Sequence, residues 1–179
     1  KVLLTSYAAG GDTAAINAMI TGELDYVYGN ALSDITVAEN IVSQNPETTY
    51  AIQSSTYNRK LFFNLLGRGD DKKNDYIYTK EFRQAINLLL DKEAMASVYA
   101  GQAEPLTTFV PNGDPLYNSD IPVHKRDVAA AKALLDSIGF DYSQTIDIIT
   151  YYTDQATADL MGFMKQNLEE AGLTVEVAI

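Results

Sequence analysis

Apolar residues recur with the period of an α-helix in the stretch 79–93. They lie three or four positions apart, at Phe82, Ala85, Ile86, Leu89 and Leu90. This spacing gathers them into one stripe, so the stretch is predicted to be a helix packed on a sheet. Thr79 is the expected cap, because its hydroxyl can accept a hydrogen bond from a first-turn amide. We expect helical structure to continue through Met95 to Tyr99.

Short apolar runs alternate with helical patterns in the first part of the chain. Strands are expected over 2–7, 24–28, 48–54 and 58–66. Two helices separate the first three strands, and Asp12 and Ser33 are their expected N-caps. Gly22 can end the first helix in the left-handed conformation, and Asn45 with Pro46 ends the second. The order β-α-β-α-β favours a mainly parallel sheet.

Two loops and a capped helix are predicted for the middle of the chain. The polar, glycine-bearing stretch 67–78 is the best candidate for a boundary between structural units. The stretch 101–117 carries several prolines and is predicted to be a long loop. Asp127 is the expected N-cap of a helix that stops at Gly139.

A second β-α-β unit is predicted for the C-terminal part of the chain. A strand over 145–151 leads into a helix that opens at Thr153 or Asp154 and stops at Gly172. Apolar and polar side chains then alternate through 173–179, as they do in a half-buried strand. Because a terminal strand needs a partner, we expect the chain to be an internal fragment of a longer protein.

The composition is that of an acidic globular protein. The 179 residues carry a formal charge of −11, and 46% of them are hydrophobic. An acidic surface repels phosphate backbones, so no nucleic-acid partner is expected. No apolar run approaches the ~20 residues of a membrane span, and no signal segment opens the sequence. Both a cytoplasmic protein and a piece of a secreted precursor fit these observations.

Few residues in the sequence offer catalytic or metal-binding chemistry. The chain has one histidine, His124, in a polar loop, and it has no cysteine. A Ser-His-Asp triad would have to use His124, and a solvated loop histidine is the simpler interpretation. The sequence lacks a phosphate-binding glycine motif and a carboxylate pair in a context that favours acid–base catalysis. No enzyme activity, cofactor or metal site is predicted.

Aromatic and polar side chains that suit ligand binding lie in three stretches. The first, 57–59, leads into the predicted strand that carries Asn64, and the second, 102–112, is a proline-shaped loop. The third, 152–155, lies where a predicted strand ends and a helix begins, which is where ligands bind in open α/β sheets. The candidate ligand-binding residues are Tyr57, Asn58, Arg59, Asn64, Tyr152, Thr153, Asp154 and Gln155. Strand packing, loop rigidity and helix capping would also explain these residues.

A sequence signature occurs in the predicted helix 79–93. It reads Phe82-Arg83-Gln84-Ala85 and is followed by Asp91-Lys92-Glu93. It resembles the signature region of solute-binding protein family 5, the oligopeptide- and dipeptide-binding receptors of bacterial ABC importers. Further elements that resemble this family follow in matching order: Gly22-Glu23-Leu24-Asp25, Asn64, Tyr99 to Pro105 with Pro111, Ala131 to Leu135 with Gly139, and Leu168 to Leu173.

The resemblance implies an α/β fold of the type II periplasmic-binding-protein kind, in which two lobes with mixed, mainly parallel sheets close on a peptide. Residues 1–64 would form part of lobe one with the hinge strand, and 65–179 the first part of lobe two. The hinge is expected near Asn64. Several relatives carry a basic residue near the position of Gln155 that pairs with the peptide carboxylate. Because this chain has no base there, Asp154 suggests longer peptides or cationic side chains instead.

The implied function is that of an extracytoplasmic substrate-binding component that captures oligopeptides or dipeptides between its lobes. It would deliver them to the membrane permease of the ABC transporter, as a monomer anchored by a lipid outside this fragment. No cofactor is implied. A receptor of the same fold for nickel or a sugar is one alternative, and a cleft hydrolase is another.

Overall fold

Helices dominate the part of the chain that the structure, a computed structural model, describes: residues 2–7, 11–27, 35–51, 57–65, 75–122 and 124–179. In chain order the elements in these ranges are α1 (Gly11–Ile20), α2 (Ile35–Gln44), a 3₁₀ turn (Asp75–Tyr78), α3 (Lys80–Leu89), α4 (Lys92–Ser97), α5 (Val128–Ser137), β1 (Thr145–Ile149), α6 (Gln155–Glu169) and β2 (Thr174–Ala178). They fall into two compact units, Lys1–Ser55 and Thr56–Ile179.

The first unit is built on the packing of α1 against α2. Its buried apolar side chains are Ala15, Ala18, Met19, Ala38 and Ile41. Asn45 follows α2, and its Nδ2 donates a hydrogen bond to the carbonyl oxygen of Met19 at 3.2 Å. Gly22 has a φ of +75°, so the left-handed end expected for the first helix is confirmed. Both helices predicted for this unit are present.

The strands predicted for the first unit are wrong within the described residues. Residues 2–7, 24–27 and 48–51 lie in no strand. Leu3 and Leu4 are 81% and 91% exposed, so the apolar run that suggested the first strand is not buried. A short apolar run does not distinguish a strand from an extended loop, because a strand needs a neighbour that completes its hydrogen bonds.

Three further expectations concern the strand predicted over 58–66 and the helix caps Asp12 and Ser33. Residues 58–65 form no strand, so the strand predicted there is wrong, for the same lack of a hydrogen-bonded neighbour. The first helix begins at Gly11, so Asp12 lies inside its first turn and is not the N-cap. The expected cap Ser33, together with residues 28, 52–54 and 66, lies outside the described residues.

The second unit has one apolar core, to which α3, α5, α6 and both strands contribute. Its buried members are Phe82, Ala85, Ile86, Leu89, Leu90, Ala131, Leu135, Phe140, Ile148, Met161, Met164, Leu168, Ala171, Leu173 and Val175. All five residues of the apolar stripe at 79–93 are among them, so the predicted helix and its buried face are confirmed. The Thr79 hydroxyl accepts a hydrogen bond from the amide of Phe82 at 3.3 Å, as expected for the cap.

Helical structure does not run unbroken from α3 into the next stretch. Leu90 is extended, with φ −77° and ψ 121°, and Asp91 then caps α4 by accepting a hydrogen bond from the amide of Ala94 at 3.0 Å. The amide of Asp91 donates to Oδ1 of Asn167 at 2.7 Å. The helical character expected through Met95 to Tyr99 is therefore present as a separate short helix that ends at Ser97.

The C-terminal β-α-β unit is confirmed. Strands β1 and β2 pair in parallel, with Ile146 opposite Val175 and Ile148 opposite Val177. The connecting helix α6 is capped by Asp154, and Gly172 ends the crossover with a φ of +92°. The alternation predicted for 173–179 matches a strand that buries one face.

The remaining predicted features of the second unit are a capped helix and a loop. Asp127 accepts a hydrogen bond from the amide of Ala130 at 2.9 Å, and Gly139 has a φ of +62°, so both ends of α5 are confirmed. The stretch 101–117 contains neither helix nor strand. The assignment of 1–64 and 65–179 to two lobes stays a prediction, and residues 66–74 of the polar loop lie outside the described part.

Candidate ligand-binding site

Arg59 is the centre of a group of side chains drawn from distant parts of the second unit. Its Nη1 donates a hydrogen bond to Oγ1 of Thr157 at 2.7 Å, and its Nη2 lies 3.7 Å from Oδ2 of Asp154. Its Cζ lies over the Tyr152 ring, 4.6 Å from the centroid, and 5.8 Å from the centroid of Tyr99. The guanidinium therefore makes an ion pair, a hydrogen bond and cation–π contacts at once.

Local helix physics fixes the acidic member of this group. Asp154 is the N-cap of α6, and its two carboxylate oxygens accept hydrogen bonds from the amide of Thr157 at 2.9 Å and from the Thr157 hydroxyl at 2.7 Å. Partial burial alone would raise the pKa of Asp154, but these hydrogen bonds and the Arg59 charge outweigh it and lower the pKa. Asp154 is thus a carboxylate whose charge is compensated within the protein.

Three tyrosine hydroxyls form a chain beside the arginine. The Tyr151 hydroxyl donates to the Tyr152 hydroxyl at 3.0 Å, and the Tyr152 hydroxyl is in close contact with that of Tyr57. The rings of Tyr151 and Tyr152 lie 4.3 Å apart between centroids at 30°. Hydrogen bonding to Tyr151, and then to Tyr57, raises the pKa of Tyr152, so its phenol is neutral at physiological pH.

These side chains form one contact group, which we name the tyrosine–arginine cluster. Its members are Tyr57, Arg59, Tyr99, Tyr151, Tyr152, Asp154 and Thr157. Tyr57 and Tyr151 are 64% and 81% exposed, so the cluster is open to a ligand. The Tyr99 hydroxyl is buried and has no hydrogen-bond partner among the described residues, and burial raises its pKa although the nearby Arg59 charge opposes this.

Successive side chains of the segment 57–60 contact two different neighbours. Tyr57 and Arg59 contact the cluster. Asn58 instead donates from Nδ2 to the carbonyl oxygen of Phe109 at 3.3 Å, and Nζ of Lys60 lies 4.7 Å from the centroid of the Phe109 ring. The segment therefore joins the cluster to the loop 101–117.

Four of the eight residues predicted to bind ligand come together in the cluster: Tyr57, Arg59, Tyr152 and Asp154. Asn58 contacts the Phe109 backbone instead, and Gln155 hydrogen-bonds within α6 to Asp159 at 2.8 Å. Asn64 and Thr153 are exposed, and the contacts that define the cluster do not include them. Ligand binding by all eight residues stays a prediction.

Sequence reasoning missed three members of the cluster. Thr157 follows the cap Asp154 by three residues, a spacing that places its amide on the capping carboxylate and could have identified it. Tyr151 directly precedes a predicted site residue. Tyr99 gives no local signal, because only the tertiary fold brings the end of α4 close to Arg59.

A shallow cavity of about 410 Å³ lies beside α6, and its lining includes no member of the cluster. It is lined by Val98, Ala158, Asp159, Gly162, Phe163 and Gln166. Within the described ranges, no three or more His, Asp or Glu side chains are grouped so that they could hold a metal ion. Every helix in those ranges is too short or too polar to cross a membrane.

Asp154→Asn tests the charge of the cap. Asparagine keeps a capping oxygen but removes the charge opposite Arg59. Since the folded-state pKa of Asp154 is lowered, its charge stabilises the fold above the ordinary value of 3.8, and that contribution is lost as the pH falls through the lowered pKa. We expect wild type to be the more stable protein at about pH 7 and the difference to shrink as the pH falls below 3.8. Urea unfolding at several pH values measures the difference in stability between the two proteins. A difference that does not depend on pH would contradict the ion pair.

Comparison with known proteins identifies the family of this chain. Residues 6–179 match the family model described as bacterial extracellular solute-binding proteins, family 5, middle. Proteins of Brucella ovis and Brucella melitensis, provisionally named ABC transporter peptide-binding proteins, are 26% identical over 175 residues. The match covers 90% of this chain and 29% of each relative, so the chain spans less than a third of their length.

Two solved structures share the fold. The ABC transporter substrate-binding protein CtaP from Listeria monocytogenes matches with a TM-score of 0.53 at 24% identity, over 59% of this chain and 22% of that one. NikA from Staphylococcus aureus, solved in complex with Ni(L-His)₂, matches with a TM-score of 0.50 at 23% identity, over 56% and 22%. The expected type II periplasmic-binding-protein-like fold class is thereby confirmed. The chain belongs to the family 5 bacterial extracellular solute-binding proteins, and it covers part of their fold.

Proposed function

We propose that this chain forms part of an extracytoplasmic receptor that captures oligopeptides or dipeptides for an ABC importer, and that the tyrosine–arginine cluster contacts the ligand. The observation that carries the proposal is the position of the cluster. Tyr151, Tyr152 and Asp154 of the cluster lie between the C-terminal end of β1 and the N-terminus of α6. Open α/β folds bind their ligands at such junctions. The names of the Brucella relatives support a peptide as the ligand.

The chemistry of the cluster suits a peptide. Exposed tyrosine rings offer apolar faces, and their hydroxyls offer both donors and acceptors for backbone groups. Such contacts hold many side chains without selecting one strongly, as a permissive receptor requires. Binding and release need no covalent step, so we propose no enzyme activity and no cofactor.

The cluster gives little support to a preference for cationic side chains based on Asp154. Both oxygens of that carboxylate already accept hydrogen bonds from Thr157, and Arg59 supplies the opposing charge. A ligand ammonium would have to displace these partners or share the carboxylate with them. We therefore propose that any preference for basic peptides arises elsewhere in the receptor.

The partners and location of the whole receptor belong to the same proposal. We propose that it works as a monomer outside the cytoplasm, delivers its peptide to the membrane permease and is held at the membrane by a lipid anchor outside these residues. The family description supports the extracytoplasmic location.

The alternatives have weaker support. The likeness to NikA concerns the fold alone, and the described residues contain no group of side chains that could hold nickel. A sugar receptor has no specific observation behind it. A hydrolase with a Ser-His-Asp triad would need His124, which is exposed and whose carbonyl oxygen accepts a hydrogen bond from Nζ of Lys92 at 3.2 Å. That contact involves the backbone of His124 and stabilises a loop. It does not indicate a catalytic role for the imidazole.

Titration calorimetry on the intact receptor that contains these residues tests the proposal. We expect binding of unmodified peptides of two to six residues and no binding of nickel–histidine or common sugars. Tyr57→Ala should weaken peptide binding about tenfold, as loss of an aromatic contact at an interface does. Tyr78→Ala is the matched control, because Tyr78 is also exposed but lies on the 3₁₀ turn. Binding of nickel–histidine or a sugar without any peptide would overturn the proposal.

A further inference from the structure

We infer that the exposed face of Tyr151 takes an aromatic side chain of the peptide, and that Arg59 is a positioning residue which holds the tyrosines rather than an anchor for the peptide carboxylate. The inference rests on the proposed function, since it names the part of the peptide that the cluster recognises. It follows from three observations. The charge of Arg59 is balanced within the cluster, the ring of Tyr151 lies against that of Tyr152, and Tyr151 remains exposed.

The charge of Arg59 is compensated inside the cluster. The ion pair with Asp154 at 3.7 Å engages one terminal nitrogen, and the hydrogen bond to Thr157 at 2.7 Å engages the other. The guanidinium carbon lies over the Tyr152 ring, and the side chain is only 30% exposed. A ligand carboxylate would therefore meet a nearly neutral pair instead of a free cation, and its attraction would be weak.

The rings form a column that ends at Tyr151. Arg59 contacts the ring of Tyr152, and the ring of Tyr151 lies against the same ring, tilted by 30° with the centroids 4.3 Å apart. Both neighbours are too close to that ring to share one of its faces. Tyr151 is consequently the outer member of the column, and its 81% exposure leaves the far face open.

Contacts with Tyr152 preorganise the ring of Tyr151 for a planar group of the ligand. Its ring is fixed by stacking, and its hydroxyl donates to Tyr152 at 3.0 Å. Little conformational entropy is then lost when a ligand stacks on it, so the contact contributes more to affinity than a mobile ring would. A flat, apolar face favours a phenyl, phenol or indole ring, which gains stacking energy beyond the burial of its area. A cationic side chain finds no free carboxylate in the cluster, since Asp154 is engaged.

Calorimetry with a series of peptides tests the inference on the intact receptor. The peptides share one backbone and carry phenylalanine, leucine or lysine at each position in turn, with a free or an amidated C-terminus. At one position we expect phenylalanine to bind about three- to tenfold more tightly than leucine or lysine, from the usual stacking energies. Amidation should change the affinity by less than about twofold, because no free cation of the cluster meets the carboxylate.

Variants locate the preference. Tyr151→Leu should abolish the preference for phenylalanine over leucine, Tyr151→Phe should keep it, and Tyr78→Leu should leave it unchanged. Arg59→Met and Arg59→Lys should both reduce this preference, since lysine lacks the planar fork that contacts Tyr152 and Thr157 together. Lys60→Met is the matched control, because the adjacent Lys60 contacts Phe109.

The possible outcomes separate this inference from the proposed function. Tight peptide binding that shows no aromatic preference, or that prefers lysine at every position, would overturn the inference and leave the proposed function standing. A loss of about tenfold or more on amidation that disappears in Arg59→Met would assign Arg59 to the carboxylate and would also overturn it. A receptor that binds no peptide of the series would overturn both.

Discussion

Replacing Phe82 by alanine is expected to lower the free energy of unfolding by about 3–5 kcal/mol, the usual loss for a buried phenylalanine. Phe82 is 1% exposed and sits where α3 meets the rest of the core. Its ring stacks on Phe140 with centroids 5.6 Å apart and meets Phe63 edge-on at 6.4 Å. The truncation removes these contacts and leaves a cavity that rigid neighbours fill only in part. Urea unfolding followed by circular dichroism measures the change.

Phe62→Ala is the matched control. Phe62 directly precedes Phe63 in the chain but is 77% exposed, so its truncation should change the free energy of unfolding by less than about 0.5 kcal/mol. Similar losses for Phe62→Ala and Phe82→Ala would mean that the two side chains are equally buried, which would contradict the core described above.

The parts of the fold that the sequence predicted well are those whose causes are local. The stripe that contains Phe82 has the period of a helix, and a helix satisfies its own backbone hydrogen bonds. Asp127 and Asp154 act within three residues of themselves, so their caps could be identified from sequence alone. The same holds for Gly139 and Gly172, whose left-handed conformations end their segments.

The incorrect strands have a cause that is not local. The runs at 2–7 and 48–51 have strand-like composition, yet a strand forms only where another segment accepts its hydrogen bonds. Parallel pairing of β1 with β2 provides such a neighbour, and α6 covers one face of that pair. No property of the apolar runs themselves distinguishes these two situations.

The candidate site was predictable in part for the same reason. Tyr152 and Asp154 lie at a junction between strand and helix, which is a general position for ligands. Their meeting with Tyr57 and Arg59, almost a hundred positions earlier in the sequence, depends on the tertiary fold. Their aromatic and polar side chains made both stretches candidates, whereas the structure shows that Arg59 and Asp154 form an ion pair. That pairing changes the expected ligand contact from a charge to an aromatic face.

Asn167→Ala is expected to lower the free energy of unfolding by about 1–3 kcal/mol, the cost of leaving a buried polar group unpaired. Asn167 is 6% exposed on the buried face of α6, at a helical position where an apolar side chain would be expected. Its Oδ1 accepts the amide of Asp91 at 2.7 Å, where the chain leaves α3 and enters α4. Alanine leaves this amide without its acceptor, so α4 should also lose protection in hydrogen exchange.

Gln166→Ala separates this effect from a general weakening of α6. Gln166 is the preceding residue and is exposed, and its Nε2 donates to Glu170 at 3.1 Å on the outer surface. Removing that contact should cost less than about 0.5 kcal/mol, because exposed side-chain pairs contribute little. Faster exchange at Asp91 and Ala94 in Asn167→Ala but not in Gln166→Ala would locate the loss at the junction of α3 and α4. Equal exchange in both variants would contradict a specific role for the Asn167 hydrogen bond, and the helix break at Leu90 would then need another cause.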